Sequence, residues 1–422
     1  MMANFRLPVA SLGLVIAAGC YYPPDYCEGA PLNRCSLIDG PPTGCTMSSE
    51  CAAPTPVCDV TGSASCVQCT TAEAGACEGA TPVCGDDHTC RGCVAHSECS
   101  TAACLSDGTC ALSPSVAYVD PSGTDNATCT QATPCTSVAK ALATNRPFVK
   151  FKGATDEAVT LNGQDVTFLA DPGAKLTRTS NGLLLEVRGA SKLQVFDLEI
   201  SGASGVGNPG ISMPTGSTAT VSLTRVKLLN NAGGGISASG GTLTIAQSTV
   251  SGNAGGGVSV SGGATFAVVG NVFFNNGSQT GSVGGVSITV PQNVANRLEF
   301  NSFNKNQVQL GLGSAIHCVA GTFTARNNVM SENGSLTNME QVGGTCAHTF
   351  SIARPGSLPG GIGNSAQDPL FANTTTGDLH IAAGSPARRA ADPTSDLTGI
   401  ARQDIDGDVR VSPADIGADH TP

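Results

Sequence analysis

From Phe148 onward the chain alternates apolar and polar positions in short runs: Val149 and Phe151, Val159 and Leu161, Val166 and Phe168, Leu183, Leu185 and Val187, then Val195, Leu198 and Ile200. Alternation of this kind is strand patterning, with successive side chains on opposite faces. Two stretches, Val221 to Gly241 and Leu243 to Gly263, are near copies in which Asn231, Gly233, Ile236 and Gly240 recur as Asn253, Gly255, Val258 and Gly262, a period of 22 residues. A fixed period of that length predicts an all-β solenoid with one coil per repeat. Equivalent residues of stacked coils lie about 4.8 Å apart. Asn231, Asn253 and Asn275 are therefore expected to form a ladder of side-chain amides, and the glycine triplets 233–235 and 255–257 to permit positive φ and close backbone approach at corners. Later coils lengthen: Gly257 to Gly285 and Asn304 to Asn333 are 28 and 29 apart, with 277–284 expected as an outward loop. Between Phe148 and Ile381 there is room for roughly ten coils.

Ahead of the strands, Val138 to Leu142 has helical periodicity, and the spacing predicts a short helix. An open solenoid exposes its core at each end, so residues 118–147 are expected to cap the first coil, stapled by Cys129 with Cys135. Cysteine usage divides the chain. Of 19 cysteines, 15 lie between Cys20 and Cys110. Cys27 to Cys110 has almost no apolar run between its cysteines, so bridges among these residues are expected to replace a core. Cys45, Cys69 and Cys93 are 24 residues apart, and Thr55-Pro56-Val57-Cys58 returns as Thr81-Pro82-Val83-Cys84, a small internal repeat. The Cys66-x-x-Cys69 and Cys90-x-x-Cys93 spacings are open to zinc, but disulfides fit an oxidising compartment better. His88 and His96 are expected in solvated loops.

The N-terminus carries an address. Arg6 is followed by an apolar run from Leu7 to Ala18, then Gly19 and Cys20. The run is about a dozen residues, short of the roughly 20 a membrane-spanning helix needs, and reads as an export signal over 1–19. The small residues before Cys20 resemble a bacterial lipobox, with Ala17 where that pattern usually has Leu. The resemblance implies a lipid on Cys20, anchorage to a membrane and location at the bacterial outer membrane or cell surface. Removing Cys20 also leaves 18 cysteines, an even number. The expected organisation is a signal (1–19), a Cys-rich module (20–110) and a solenoid (111–422). Net charge is −11 with no basic cluster, which excludes a nucleic-acid surface. Aromatics are 4% of the chain with no Trp, so stacking platforms for sugars are scarce.

Several motifs carry a family resemblance. They are the opening Tyr118-Val119 with Gly123 and Asp125, the Asn-Gly coils, and the ending Asp368-Pro369-Leu370-Phe371, Gly377-Asp378-Leu379-His380, Gly384-Ser385-Pro386-Ala387, Asp404-x-Asp406-Gly407 and Asp415-Ile416-Gly417-Ala418. Together they resemble bacterial right-handed parallel β-helix proteins of the pectin-lyase-like superfamily. The Cys-rich module resembles the stalk repeats of exported bacterial lipoproteins. The resemblance implies a right-handed parallel β-helix whose segment 368–420 closes the last coil. That superfamily holds enzymes and non-enzymes alike.

Polysaccharide-cleaving members place several carboxylates with an Arg, Lys or His on one outward sheet. Between Glu199 and Glu299 this chain has no acid at all. The acids best placed for a catalytic pair or for calcium are Asp197 and Glu199, two apart and expected on one outward strand face. Arg225 and Lys227 read as solvated coil surface. Asp404, Asp406, Asp408, Ser412 and Asp415 have calcium-loop spacing, although Gly407 stands off the turn position. His317-Cys318 and Cys346-x-His348 suggest either a metal set or, with fewer assumptions, a Cys318 to Cys346 disulfide beside exposed histidines. No catalytic set, metal or cofactor is assigned, calcium remaining the one candidate. The expected function is a non-catalytic surface lipoprotein that presents a β-helix for binding, adhesion or envelope architecture, with polysaccharide or another surface protein as partner. The alternatives are an extracellular polysaccharide lyase or glycoside hydrolase, and a glycan receptor without catalysis.

Overall fold

The computed structural model describes residues 44–421 apart from 291–295, 321–322, 336–337, 357 and 359. Cys20, Cys27 and Cys35 lie outside these, as do residues 1–19, where the export signal is expected. The described residues form two compact units, one ending at Arg91 and one running from Gly92 onward, with Gly79–Thr81 in the second.

The first unit holds two four-cysteine repeats, each bridged first to third and second to fourth: Cys45–Cys58 with Cys51–Cys66, then Cys69–Cys84 with Cys77–Cys90. A two-strand antiparallel ladder closes each repeat, Val57–Cys58 on Cys66–Val67 and Val83–Cys84 on Cys90–Arg91. The two Cys-x-x-Cys pairs straddle repeat borders, so their members bridge in different directions and grip no common ion. A third repeat, Cys93–Cys104 with Cys99–Cys110, belongs to the second unit. There Ala103 and Ala111 pack with Val116, Tyr118 and Leu169, and the Tyr118 hydroxyl donates to the Thr101 carbonyl at 2.6 Å.

The second unit is a parallel β-solenoid. Among the described residues its three sheets have ten, nine and eight strands, each adding one strand per coil in chain order. Sheet 1 runs from Val116–Val119 to Ala347–Thr349, sheet 2 from Ala154–Asp156 to Ile352–Arg354, and sheet 3 from Val159–Asn162 to Val342–Gly344. The helix forms over Val138–Ala143, its N-terminus capped by Ser137 Oγ, which accepts from Lys140 N at 3.3 Å. Cys129 is bonded to Cys135, and Cys318 to Cys346 across neighbouring coils.

Two corners repeat in every middle coil. Each has one residue at positive φ followed by one buried residue. Between sheets 1 and 2 the positive-φ column includes Asp197, Arg225, Gln247, Phe300 and Asn327; after sheet 2 it includes Asn230, Asn275, Lys305 and Glu332. The buried residue behind each corner forms a ladder. Asn231, Asn253, Asn276, Asn306 and Asn333 each pass a side-chain amide hydrogen to the next oxygen, at 2.7–3.0 Å. The ladder therefore uses Asn276, where the sequence pattern suggested Asn275, because the coil from Asn253 is one residue longer than the repeat; Asn275 is the exposed corner residue at φ +53°. Likewise Asn333 is the neighbour of Asn306, and Asn304 pairs with Ser331. A second ladder, Asn271, Asn301 and Asn328, runs through the other corner. Coil stacking at the glycine triplets is close: a Cβ on Gly257 would lie 2.3 Å from the Gly285 carbonyl oxygen, and Gly256 has φ +109°.

The coils end at Arg354, well short of Ile381. Phe371–Asn373 and Asp378–Ile381 form an antiparallel hairpin, and the C-terminal segment runs back along the outer flank of the coils. The outward column of sheet 2 explains why. It reads Lys175, Glu199, Lys227 and Thr249 and then Val272, Ser302, Val329 and Ile352, apolar at all but Ser302. Val329 and Ile352, with Val269 and Phe300, are covered by Ile381, Ala387, Ala401 and Ile416, and Val272 by Leu379 and Ala418. Burial of such outward apolar surface holds the segment down. Polar anchors fix its register: Gln247 Nε2 donates to the Asp404 carbonyl at 2.8 Å and Ala418 N to Ser302 Oγ at 3.0 Å.

Candidate functional site

The charged corner of the early coils and the returning segment border a groove on the second unit. A recess of 460 Å³ is lined by Arg225, Lys227, Thr249, Asp378, His380 and Asp406, among others. A larger recess of 1170 Å³ shares Arg225 and Lys227 and adds His96, Asp171, Phe196 and Asp197.

Asp197 and Glu199 do not share a face. Asp197 occupies the corner at φ +64°, while Glu199 opens a sheet 2 strand. The turn between them sends one side chain to the corner and the other to the sheet. Asp197 binds Arg225 of the next coil in a two-point ion pair, 2.7 and 2.9 Å. Arg225 is thus not a free surface cation. The hydrogen bonds it donates to Asp197 raise its pKa further, and its guanidinium lies 5.9 Å from the centre of the half-buried Phe196 ring. Glu199 accepts from Ser201 Oγ at 2.8 Å, lies 3.9 Å from Lys175 Nζ, and is in register with Lys227 on its other side. Asp171 meets the buried Lys150 at 2.7 Å; burial lowers the pKa of that amine. Burial also depresses His96, whose Nδ1 accepts from Cys104 N at 3.0 Å.

On the opposite wall, His380 stands between two carboxylates. Nδ1 contacts Asp378, and Nε2 lies 2.7 Å from Asp406 Oδ2. Burial works against charge on this ring, but Asp378 and Asp406 outweigh it and hold its pKa up at about 9. The alternation of Asp378 and His380 in one short strand was the available sequence signal for this cluster. Behind it, burial raises the pKa of Asp419.

Two of the calcium-spaced acids, Asp404 and Asp415, serve as caps. Asp404 Oδ1 accepts from Asp406 N and Asp408 N, and its Oδ2 from His420 N. Asp415 accepts from Arg389 N and from Thr421 N and Oγ1. Both are fully buried, whereas Asp406 and Asp408 are exposed. At Asp404 and Asp415, backbone donors fill the oxygens that a calcium loop would aim at an ion.

His317 accepts from Gly313 N at 3.2 Å. His348 is not an exposed loop residue: it is buried in the strand Ala347–Thr349, and burial depresses its pKa to about 4. The unfolded imidazole takes up a proton near 6.5, while the folded one resists until about 4. Between those values the unfolded chain binds more protons, so this contribution is complete above pH 6.5 and is lost as pH falls towards 4. The gap corresponds to roughly 3 kcal/mol at most. Denaturant unfolding at pH 7 and pH 4 should show the loss in wild type and a smaller one in His348→Leu.

A family model described as a right handed beta helix region matches residues 181–352. The chain is a right-handed parallel β-helix protein with a disulfide-rich N-terminal region. Among solved structures, the crystal structure of pectate lyase Pel9A is similar, with 14% sequence identity, a TM-score of 0.40, and coverage of 73% of this chain and 96% of that chain. No curated protein matches the sequence.

Proposed function

We propose that this is an exported, surface-tethered protein that binds an extended glycan or another surface molecule along the β-helix flank without cleaving it. Lipid on Cys20 would hold it to the membrane, and the Cys-rich repeats would serve as the stalk. The observation that carries the reading is the pairing of the charges in and beside the groove: Asp197 with Arg225, Asp171 with Lys150, Glu199 beside Lys175, and Asp378 and Asp406 with His380. Hydrolysis by two carboxylates needs one of them protonated, and neighbouring cations oppose that. Elimination needs a free base, and Arg225 is held protonated. Cleavage remains the second reading because Asp171, Asp197, Arg225 and Lys227 do border one recess.

The test is binding of the purified protein to a panel of neutral and acidic polysaccharides, beside the Arg225→Ala/Lys227→Ala double variant. A ligand should emerge whose affinity falls at least tenfold in the variant while thermal unfolding of the coils is retained. Equal affinity in both proteins for every ligand bound would remove the groove from the account. Mass spectrometry of the N-terminal peptide from membranes tests the anchor, with a diacylglycerol adduct on Cys20 expected.

A further inference from the structure

We propose that His380, Asp406 and Asp419 form a binding site for a divalent transition-metal ion of the zinc type, set in the wall of the groove and independent of whether that groove binds a glycan. One ligand atom of each lies within 4.8 Å of the other two, a spacing that one ion can span. The residues come from distinct parts of the returning segment: His380 from the hairpin, Asp406 from the turn after Asp404, Asp419 from the C-terminal end. The observation that points to a cation is Asp419 itself. It is only 6% exposed, and Oδ2 accepts from Ile381 N at 2.8 Å. Its other oxygen accepts no hydrogen bond from the described residues, and no Lys, Arg or His among them lies within ion-pair distance. The buried cation of this segment, Arg410, donates instead to the Gly417 and Ala418 carbonyls. The nearest cations, His380 and Arg410, act on Asp419 from beyond ion-pair distance, so a carboxylate set this deeply is only partly compensated, and an ion beside it would complete the compensation.

The donor set decides the kind of ion. One imidazole and two carboxylates suit zinc or cobalt, whereas calcium and magnesium take oxygen shells. Asp378, on Nδ1 of His380, would orient the ring so that Nε2, after releasing to solvent the proton it shares with Asp406, faces the ion. His380 and Asp406 line the 460 Å³ recess, which leaves the remaining coordination positions facing the groove and accessible to a ligand oxygen.

Chelator-treated full-length protein titrated with Co²⁺ and followed by visible absorption tests the site. Expected are about one ion per chain, bands of nitrogen and oxygen ligation, displacement by Zn²⁺, and at least tenfold weaker binding in Asp419→Asn and in His380→Gln. Asp408→Asn, on the exposed turn, should bind like wild type. Should Asp419→Asn fail to fold, His380→Gln, on the half-exposed groove wall, decides alone. Absence of stoichiometric binding, unchanged affinity in His380→Gln, or a thiolate charge-transfer band would each overturn the proposal.

Discussion

Asn276→Ala should destabilise the middle coils by roughly 3–5 kcal/mol, whereas Asn275→Gly, one residue earlier, should change stability by less than about 0.5 kcal/mol. The difference follows from position alone. Asn276 is fully buried. Its Oδ1 accepts from Asn253 N and Nδ2, and its Nδ2 donates to the Val250 carbonyl at 2.8 Å and Asn306 Oδ1 at 2.9 Å. Truncation strands groups on the coils before and after it with no water to replace the lost partner, and each such buried group costs about 1–3 kcal/mol. Asn275 faces solvent at φ +53°, a conformation glycine adopts without penalty. Urea unfolding of the two variants against wild type measures the contrast. Equal stabilities would mean that the buried amide ladder does not hold the coils together.

Reduction should unfold the first unit while leaving the coils intact. Four bridges there close loops with sequence separations of 13 and 15 residues. Each loop of that size contributes about 3 kcal/mol in the chain-entropy view, on the order of 10 kcal/mol for the set. Little else opposes it: apart from cysteines, Val57 is the buried hydrophobic residue described in residues 44–91. The coils have a continuous core of Leu, Ile, Val and Phe from Val119 to Ala353, with the Phe273 and Phe303 rings stacked at 4.7 Å. Limited proteolysis with and without reductant, read by mass spectrometry, should show cleavage within 44–91 appearing only on reduction and the span 116–354 remaining protected. Protection of both regions after reduction would contradict the division.

The fold was legible because a solenoid repeats its physics in every coil. Asn231 and Asn253, the glycine triplets and the alternating strands each occur often enough to reveal the period. Register was harder. Coils of differing length shift the ladder from Asn275 to Asn276, and only the pattern of two asparagines five residues apart, Asn271 with Asn276, Asn301 with Asn306 and Asn328 with Asn333, separates the two. The motifs of the C-terminal segment suggest that it closes the last coil, because nothing local says which surface it covers. The cue lay elsewhere, in the apolar outward residues Val272, Val329 and Ile352.

The groove was less legible than the fold. Asp197 and Glu199 looked like neighbours on one strand face because strand alternation gives no sign of a corner, and the positive φ at Asp197 belongs to its place in the stack. Arg225 meets Asp197 because they occupy the same corner in consecutive coils, 28 residues apart. His380 and Asp406 meet through tertiary folding of the returning segment. Pairings of that kind follow from coil length and packing, which composition and spacing do not encode.

The measurement that bears most directly on a binding role without turnover is product release from a polysaccharide that the protein binds. Protein at micromolar concentration would be held with it for a day, with and without added calcium and zinc, and new reducing ends and unsaturated products followed by mass spectrometry. Chain length unchanged from the protein-free control, with binding still lost in Arg225→Ala/Lys227→Ala, is the predicted result. Oligosaccharides that accumulate with wild type and not with Asp197→Asn would contradict it and make the paired groove an active site.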